Sequence, residues 1–412
     1  MVQAKKLLCG MNELTVDERA FIEQNLHADI QTLLLRKNVG GIRWKEVAVQ
    51  IQARQKAAQK LPSWYANPHL IFPPALSVEQ ASSERTALYK ASLVGGDSLL
   101  DLTGGMGVDS WAFAQRVSSV VYVERQPELA ALAAHNFPRL GMTNVEIHPQ
   151  DGLAFLASVA EPVDWIYLDP ARRDSRGGKV VRLEDCEPDV TADGLLDYLL
   201  TKTERILIKT SPLIDIDAAV RQLAFVEAVH VVAVQNEVKE IVFIISRLAA
   251  SASNIPITAV NLTEQGDGPA MIVHRSSERT VPVAFGNPLR YLYEPNAAVM
   301  KAGAFRSVAT LYGLQKLAPH SHLYTTNNLV WPFPGRVFEL MAICRPDRKE
   351  LRALLPELKA NLTVRNFPQS VEELRKKLGL HEGGDIFVLA TSLLNGDKRL
   401  LITRKVTNPQ PI

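Results

Sequence analysis

The stretch that most constrains this chain is Asp101-Leu-Thr-Gly-Gly-Met-Gly-Val-Asp109. An apolar run, Ser98-Leu-Leu-Asp-Leu102, leads into it, and an amphipathic run from Val108 to Val117 follows. Strand, glycine turn and helix, in that order, form the ligand entrance of a doubly wound sheet. Gly104, Gly105 and Gly107, with Thr103 before them, let the backbone turn tightly and let a ligand approach it. Asp101 adds a carboxylate directly before the turn. A dinucleotide pyrophosphate is repelled there, whereas a ligand carrying a sulfonium and an ammonium is attracted. The sign of the charge favours S-adenosylmethionine over a nicotinamide cofactor.

Three further strands repeat the pattern. Ser119-Val-Val-Tyr-Val-Glu124 ends in an acid 23 residues beyond Asp101, where it can accept both ribose hydroxyls. Asn144-Val-Glu-Ile-His148 is followed by Asp151-Gly152, whose carboxylate can accept the adenine amino group. Val163-Asp-Trp-Ile-Tyr-Leu-Asp169 is an apolar fourth strand, followed by Pro170-Ala-Arg-Arg173. Four strands thus end at or just before an acid on one edge of a sheet, which is more than polar strand ends alone explain.

These residues resemble a class I S-adenosylmethionine-dependent methyltransferase. More closely, the chain resembles a bacterial family that joins this domain to a ferredoxin-like insert and a THUMP-like C-terminal domain. The matching pieces are 76–84, the Asp101 turn, Leu168-Asp-Pro-Ala-Arg-Arg-Asp174, Ile208-Lys-Thr-Ser-Pro212, Asn236-Glu-Val-Lys-Glu240 and Val364-Arg-Asn-Phe-Pro368, spanning most of residues 70–405. The fold implied is α/β, a Rossmann-like methyltransferase sheet with an N-terminal helical region and two smaller α+β domains. The expected boundaries are 1–70 helical, 71–250 methyltransferase, 251–335 ferredoxin-like, 336–405 THUMP-like and 406–412 tail. The resemblance implies that the segment around Glu79 closes over the methionine end of the cofactor. It also implies that Asp169 and the Pro170 carbonyl receive the acceptor amine. In many nucleic-acid amino-methyltransferases a second Pro and an aromatic follow the Asp-Pro pair; here those places hold Ala171 and Arg172, so Arg172 either stacks on a base or pairs with phosphate. Cys186, among three acids, is set aside as a nucleophile because they raise its pKa.

Charge is uneven. Residues 31–74 carry a net +6 and residues 345–412 a net +5, leaving −9 for the rest of a chain whose total is +2. Basic ends around an acidic middle suit a polyanion, although ordinary solvated helix faces read the same way. Trp44, Trp64 and Tyr65 lie in the first segment, suited to stacking on bases or simply to packing. Residues 62–74, with four prolines, read as a linker. Residues 236–240 read as a polar turn between apolar runs, which places Asn236 and Glu240 near the substrate mouth. Arg365, in the THUMP-like pattern, and the run Arg375-Lys376-Lys377 are the expected substrate contacts of the last domain.

No apolar run reaches membrane-spanning length, and the first residues lack the apolar stretch of a signal peptide. Three scattered cysteines fit a reducing cytoplasm and have no metal-ligand spacing; His320 and His322 read as surface polar residues. The expectation is a cytoplasmic methyltransferase that uses S-adenosylmethionine, needs no metal or membrane, and modifies a base in structured RNA such as tRNA or rRNA. The alternatives are a methyltransferase of proteins or small molecules, and a non-catalytic RNA-binding protein. The oligomeric state is not legible.

Overall fold

The computed structural model describes residues 13–35, 41–173, 182–249, 254–264 and 268–407. Two compact units emerge: the described residues up to Glu227 together with Val242–Ala249, and Ala228–Ile241 together with those from 254 onward. Cys9, Asp174, Gly177, Gly178, Gly266 and Asp267 lie outside the described residues.

The first unit begins with helices. Val16–Gln24 starts with a capping box between Thr15 and Glu18, and is followed by Ile30–Leu35 and Trp44–Lys60. Leu14, Ile22, Leu33, Val47 and Ile51 close a small core between them. The expected linker at 62–74 is instead a pinned strap. It starts as the helix Pro62–Tyr65, buries Trp64, Leu70 and Phe72, and has its backbone tied down by side chains. Gln50 exchanges two hydrogen bonds with Phe72, Asn136 does the same with Ile71, and the buried Arg54 donates to the Pro68 and Leu70 carbonyls. Proline richness marks extended backbone here, while alternating apolar residues supply the packing that a free linker lacks.

The sheet follows the apolar runs. Its strands are β1 (Ser98–Asp101), β2 (Ser119–Val123), β3 (Val145–His148) and β4 (Val163–Leu168), then a two-residue pair β5 (Ala171–Arg172) and β6 (Cys186–Glu187), and β7 (Thr203–Thr210). The order β7-β4-β1-β2-β3 is parallel throughout. The chain winds outward from β1 to β3 and then returns to the other side of β1 with β4. A doubly wound sheet binds its ligand at that switch point, outside the carboxyl ends of β1 and β4.

Strands β8 (Val226–Val234) and β9 (Glu237–Ser246) form a hairpin. Its turn is only Gln235-Asn236, both with positive φ (50° and 65°), as a two-residue primed turn requires. Glu237–Glu240 therefore belong to a strand rather than to the expected polar turn, and Glu240 is buried.

In the second unit, β10 (Pro256–Leu262) runs parallel to β8 and antiparallel to β11 (Met271–His274). A separate seven-stranded sheet follows. It uses β12 (Tyr291–Pro295), β13 (Gln315–Lys316), β14 (Tyr324–Thr326), β15 (Gly335–Cys344), β16 (Asn361–Arg365), β17 (Ile386–Ser392) and β18 (Lys398–Lys405), in the order β13-β14-β12-β15-β18-β17-β16. Because β15 pairs with both β12 and β18, the stretches expected as ferredoxin-like and THUMP-like share one continuous sheet. Side chains alternate along β17. Val388 and Ala390 join the core under the helices Arg348–Leu354 and Val371–Leu378, and Leu389 joins a second core with Phe338 and Leu401.

Candidate active site

The glycine turn is clamped from below. Gly104 donates to the Val123 carbonyl at 2.9 Å, and a Cβ on Gly104 would lie 2.2 Å from the Tyr122 ring. Gly107, at φ +88°, starts the helix Val108–Phe113. The Tyr122 hydroxyl donates to the Gly105 carbonyl at 2.6 Å, while the Gly105 N–H donates to Glu124 Oε2 at 2.7 Å. Only glycine lets the chain lie this close to β2.

Beside the turn is a cavity of about 590 Å³, within the first unit and of a size suited to a small-molecule cofactor. Thr103, Gly104, Gly105, Gly107, Glu124, Asp151, Gly152 and Asp169, all expected from the sequence, line it. Glu124 is 7% exposed, and its Oε1 accepts from the Gln126 N–H at 2.8 Å. Asp151 caps the helix Gly152–Ser158 by accepting from Ala154 N at 3.0 Å. A Cβ on Gly152 would meet the Leu102 carbonyl at 2.2 Å, so this wall also needs glycine.

Four expected residues do not line the cavity. Asp101 is fully buried beneath the turn, where its carboxylate accepts from Thr103 N at 2.9 Å and Ser110 Oγ at 2.5 Å. Burial pushes its carboxyl up to about 7, against the pull of those two donors and with help from the nearby Asp109 and Asp169 charges. From there it organises the turn. Glu79 pairs with Lys56 at 2.6 Å, and its neighbours Gln80 and Ser82 face the cavity instead. Pro170 lies outside the lining, and Arg172 is exposed in β5 opposite Cys186, while Arg173 lines the cavity. The charge argument survives at other positions: six lining residues are carboxylates (Asp109, Glu124, Asp151, Asp169, Glu187, Asp189) and two are arginines. That balance suits a cationic ligand and opposes a pyrophosphate.

A buried polar cluster supports the site, and its lysines were not singled out in the sequence. Lys90, fully buried, sits 3.2 Å from Asp109 and donates to Ser82 Oγ at 3.1 Å. Asp109 also accepts from Ser82 Oγ and from the Tyr167 hydroxyl, each at 2.8 Å. Burial raises the Asp109 carboxyl, but the ammonium groups of Lys90 and Lys209, with those two hydroxyls, more than offset it and hold it below the usual range. Lys209 Nζ lies 2.5 Å from Asp169 Oδ2, and Asp169 N donates to Thr103 Oγ1 at 2.7 Å. Lys209 lies in the Ile208-Lys-Thr-Ser-Pro212 piece that carries the resemblance, where nothing in the sequence assigns it a role.

Other expectations resolve locally. Burial, then Asp185 and Asp169, raises the Cys186 thiol, in keeping with an inert residue. Trp64 is buried edge-on to Trp111, and the partly buried Trp44 packs on Phe21, so both serve packing in the fold. Arg43 is bidentate to the buried Glu18, which its guanidinium holds down at about 2, and Lys60 donates to the Glu79 carbonyl. Much of the N-terminal positive charge therefore serves the fold. In the second unit, Asn236 Oδ1 accepts from Ala297 N at 2.8 Å. Arg365 and Arg336 both clamp the buried carboxylate of Glu294. Arg375 pairs with Glu382 at 3.1 Å, and Lys376 and Lys377 are exposed in the last turn of Val371–Leu378. His322 stacks on Phe305, and burial pushes its imidazole down to about 4, so it is not a free surface group. No described helix is long and apolar enough to cross a membrane.

Comparison with known proteins bears on this geometry. Family models match at residues 291–334 (ferredoxin-like domain), 335–405 (THUMP domain-like) and 67–174 (protein-L-isoaspartate(D-aspartate) O-methyltransferase). A crystal structure of a candidate methyltransferase from Porphyromonas gingivalis W83 is 34% identical, covering 98% of this chain and 99% of its own, with a TM-score of 0.85. An uncharacterised S-adenosylmethionine-dependent methyltransferase of Mycobacterium tuberculosis (strain ATCC 25618 / H37Rv) is 26% identical over 325 residues, 77% of this chain and 83% of its own. Ribosomal RNA small subunit methyltransferase J of Shewanella denitrificans is 30% identical over 128 residues, 27% of this chain and 52% of its own.

Proposed function

Because the chain belongs to the family of class I S-adenosylmethionine-dependent methyltransferases that carry ferredoxin-like and THUMP-like domains, we propose that it methylates a base of structured RNA. The observation that carries the reading is the carboxylate-rich cavity at the sheet's switch point, with Asp169 in its wall. Bound there, the cofactor supplies an electrophilic methyl group on a sulfonium. Glu124 accepts the ribose hydroxyls; its orientation is already set by the Gly105 and Gln126 N–H groups. Asp151 accepts the adenine amino group, and the glycine turn admits the cofactor backbone closely. Asp169 and the Pro170 carbonyl accept from the acceptor amine, turning its lone pair toward the methyl group. Positioning of this kind supplies most of the catalysis when the acceptor is already nucleophilic. Arg173 at the cavity wall has the planar cation that can stack on a base where nucleic-acid amino-methyltransferases often place an aromatic, and the exposed Arg172 suits a phosphate.

Two observations support RNA as the substrate. A 128-residue stretch is 30% identical to a ribosomal RNA methyltransferase, and residues 335–405 match the THUMP-like model. A cytoplasmic location fits this reading, because Cys186 and Cys344 are free thiols, as that compartment favours. The match to a protein-carboxyl methyltransferase model offers a second reading. Its acceptor is an anion, however, and would meet the acidic wall unfavourably. The test is transfer of labelled methyl groups from S-adenosylmethionine into fractionated RNA, protein and metabolite pools. Label in RNA is expected; label in protein alone would favour the second reading.

A further inference from the structure

We propose that Lys209 is a positioning residue for methyl transfer, holding the Asp169 carboxylate in the orientation that receives the acceptor's N–H. This rests on the role given to Asp169 above. Strands β4 and β7 pair in parallel with Leu168 opposite Ile208, which brings the next residues, Asp169 and Lys209, side by side at the ligand edge. Lys209 Nζ reaches Asp169 Oδ2 at 2.5 Å from a side chain only 13% exposed. The Asp169 backbone is fixed from the other side by Thr103 Oγ1, a residue of the cofactor turn. One carboxylate is thus held between the cofactor turn and the neighbouring strand.

Charge explains why a lysine is needed. Asp101, Asp109 and Asp169 are close enough at the switch point for the last two to disfavour ionisation of the first. Lys90 answers Asp109, and Lys209 answers Asp169 while also acting on Asp109. Without Lys209, Asp169 would keep its backbone anchor but lose the partner of its carboxylate, beside a like charge. Its side chain would then sample rotamers that turn the acceptor lone pair away from the methyl group. An ammonium donating to a carboxylate has no lone pair of its own, so Lys209 acts through Asp169 and not as a base.

The experiment compares native protein, Lys209→Met, Lys209→Arg, Lys209→Gln, Asp169→Asn and the Lys209→Met/Asp169→Asn double variant. Each is assayed for labelled methyl transfer from S-adenosylmethionine to total RNA from cells lacking the protein, with cofactor affinity and Tm measured alongside. Lys209→Met should lower kcat by about 100-fold, the scale of a misplaced reacting group, with cofactor affinity changed by less than about threefold. The double variant should be no slower than Asp169→Asn, because both act on one carboxylate. Native kcat in Lys209→Met, or losses that multiply in the double variant, would overturn the inference. Native activity in Asp169→Asn would overturn the role of Asp169 instead, and a native protein that labels no RNA would overturn both. If Lys209→Met does not fold, the comparison passes to Lys209→Arg and Lys209→Gln. The arginine must then be the faster of the two, and equal rates contradict the proposal.

Discussion

Glu124 Oε2 accepts the Gly105 N–H at 2.7 Å, so the acid at the tip of the second strand and the glycine turn after the first are one device. The same carboxylate proposed to receive the ribose also sets the backbone of the turn. Glu124→Ala should weaken S-adenosylmethionine binding by about 1–3 kcal/mol through loss of charge-assisted hydrogen bonds. Titration calorimetry checks this, and unchanged affinity would remove Glu124 from the cofactor site.

Gly104→Ala should destabilise the first unit. Its Cβ would sit 2.2 Å from a Tyr122 ring that is itself fully buried, so neither side can yield cheaply. Overpacking of this kind costs about 1–3 kcal/mol, read as a lower midpoint in urea denaturation. Gly95→Ala is the matched control, since like Gly104 it has no positive φ, while its Cβ meets nothing within 4 Å.

Asp101 makes stability depend on pH in a defined direction. Its carboxyl is raised to about 7 in the folded protein, above the value of about 3.9 for an unfolded aspartate, so the folded state holds the proton more tightly. Its contribution is most favourable below the unfolded value, declines as pH rises through about 7, and is level above that. Asp101→Asn removes this slope. The stability difference between native protein and variant should therefore shift against the native protein from pH 4.5 to pH 8 (values chosen to bracket ~4 and ~7). A difference that is constant across this range would contradict the buried, proton-holding role.

Glu294 should be a stability residue of the second unit. It is buried, and both Arg336 and Arg365 bond to it. Glu294→Gln should cost about 3 kcal/mol, the lower end for a broken buried pair, because both arginines keep partial access to water. Denaturant midpoints test this, and a loss below about 1 kcal/mol would mean that the clamp is only a surface pair.

Lys376 and Lys377 should contribute to RNA affinity with little structural consequence. They are exposed, whereas Arg375 is engaged with Glu382. Reversing both lysines to Glu should weaken RNA binding and reduce the slope of log affinity against log salt by up to about 2, one counterion for each phosphate released. Cofactor affinity should stay as it was. Filter binding at several salt concentrations decides the matter, and an unchanged slope removes these lysines from the RNA contact.

The parts of the molecule written in short-range patterns were legible in the sequence. Apolar runs located β1 to β4 to within two residues, and glycine spacing located the turn, because strand burial and positive φ leave local signatures. The strand-tip acids were found for the same reason. What each acid does was less legible. Asp101 and Glu124 look alike in sequence, yet one is sealed under the turn and the other lines the cavity, a difference set by Ser110, Thr103 and Tyr122 packing around them. Basic residues were the least legible. Arg43 meets Glu18 across 25 positions, Arg365 meets Glu294 across 71 and Lys209 meets Asp169 across 40, so a count of local charge misreads all three as free cations. Glu79 pairs with Lys56, while its neighbour Gln80 lines the cavity from the short helix Ala75–Gln80, a difference of one residue in helical phase that the sequence does not show.

The most direct test of the account is the nucleoside content of RNA from cells lacking this protein, after incubation with the purified chain and isotope-labelled S-adenosylmethionine. Digestion and mass spectrometry should reveal one base-methylated nucleoside carrying the label, formed by the native protein and lost with Asp169→Asn. Label on ribose, label only in co-incubated protein, or equal labelling by the Asp169→Asn variant would contradict a base methyltransferase that works through Asp169.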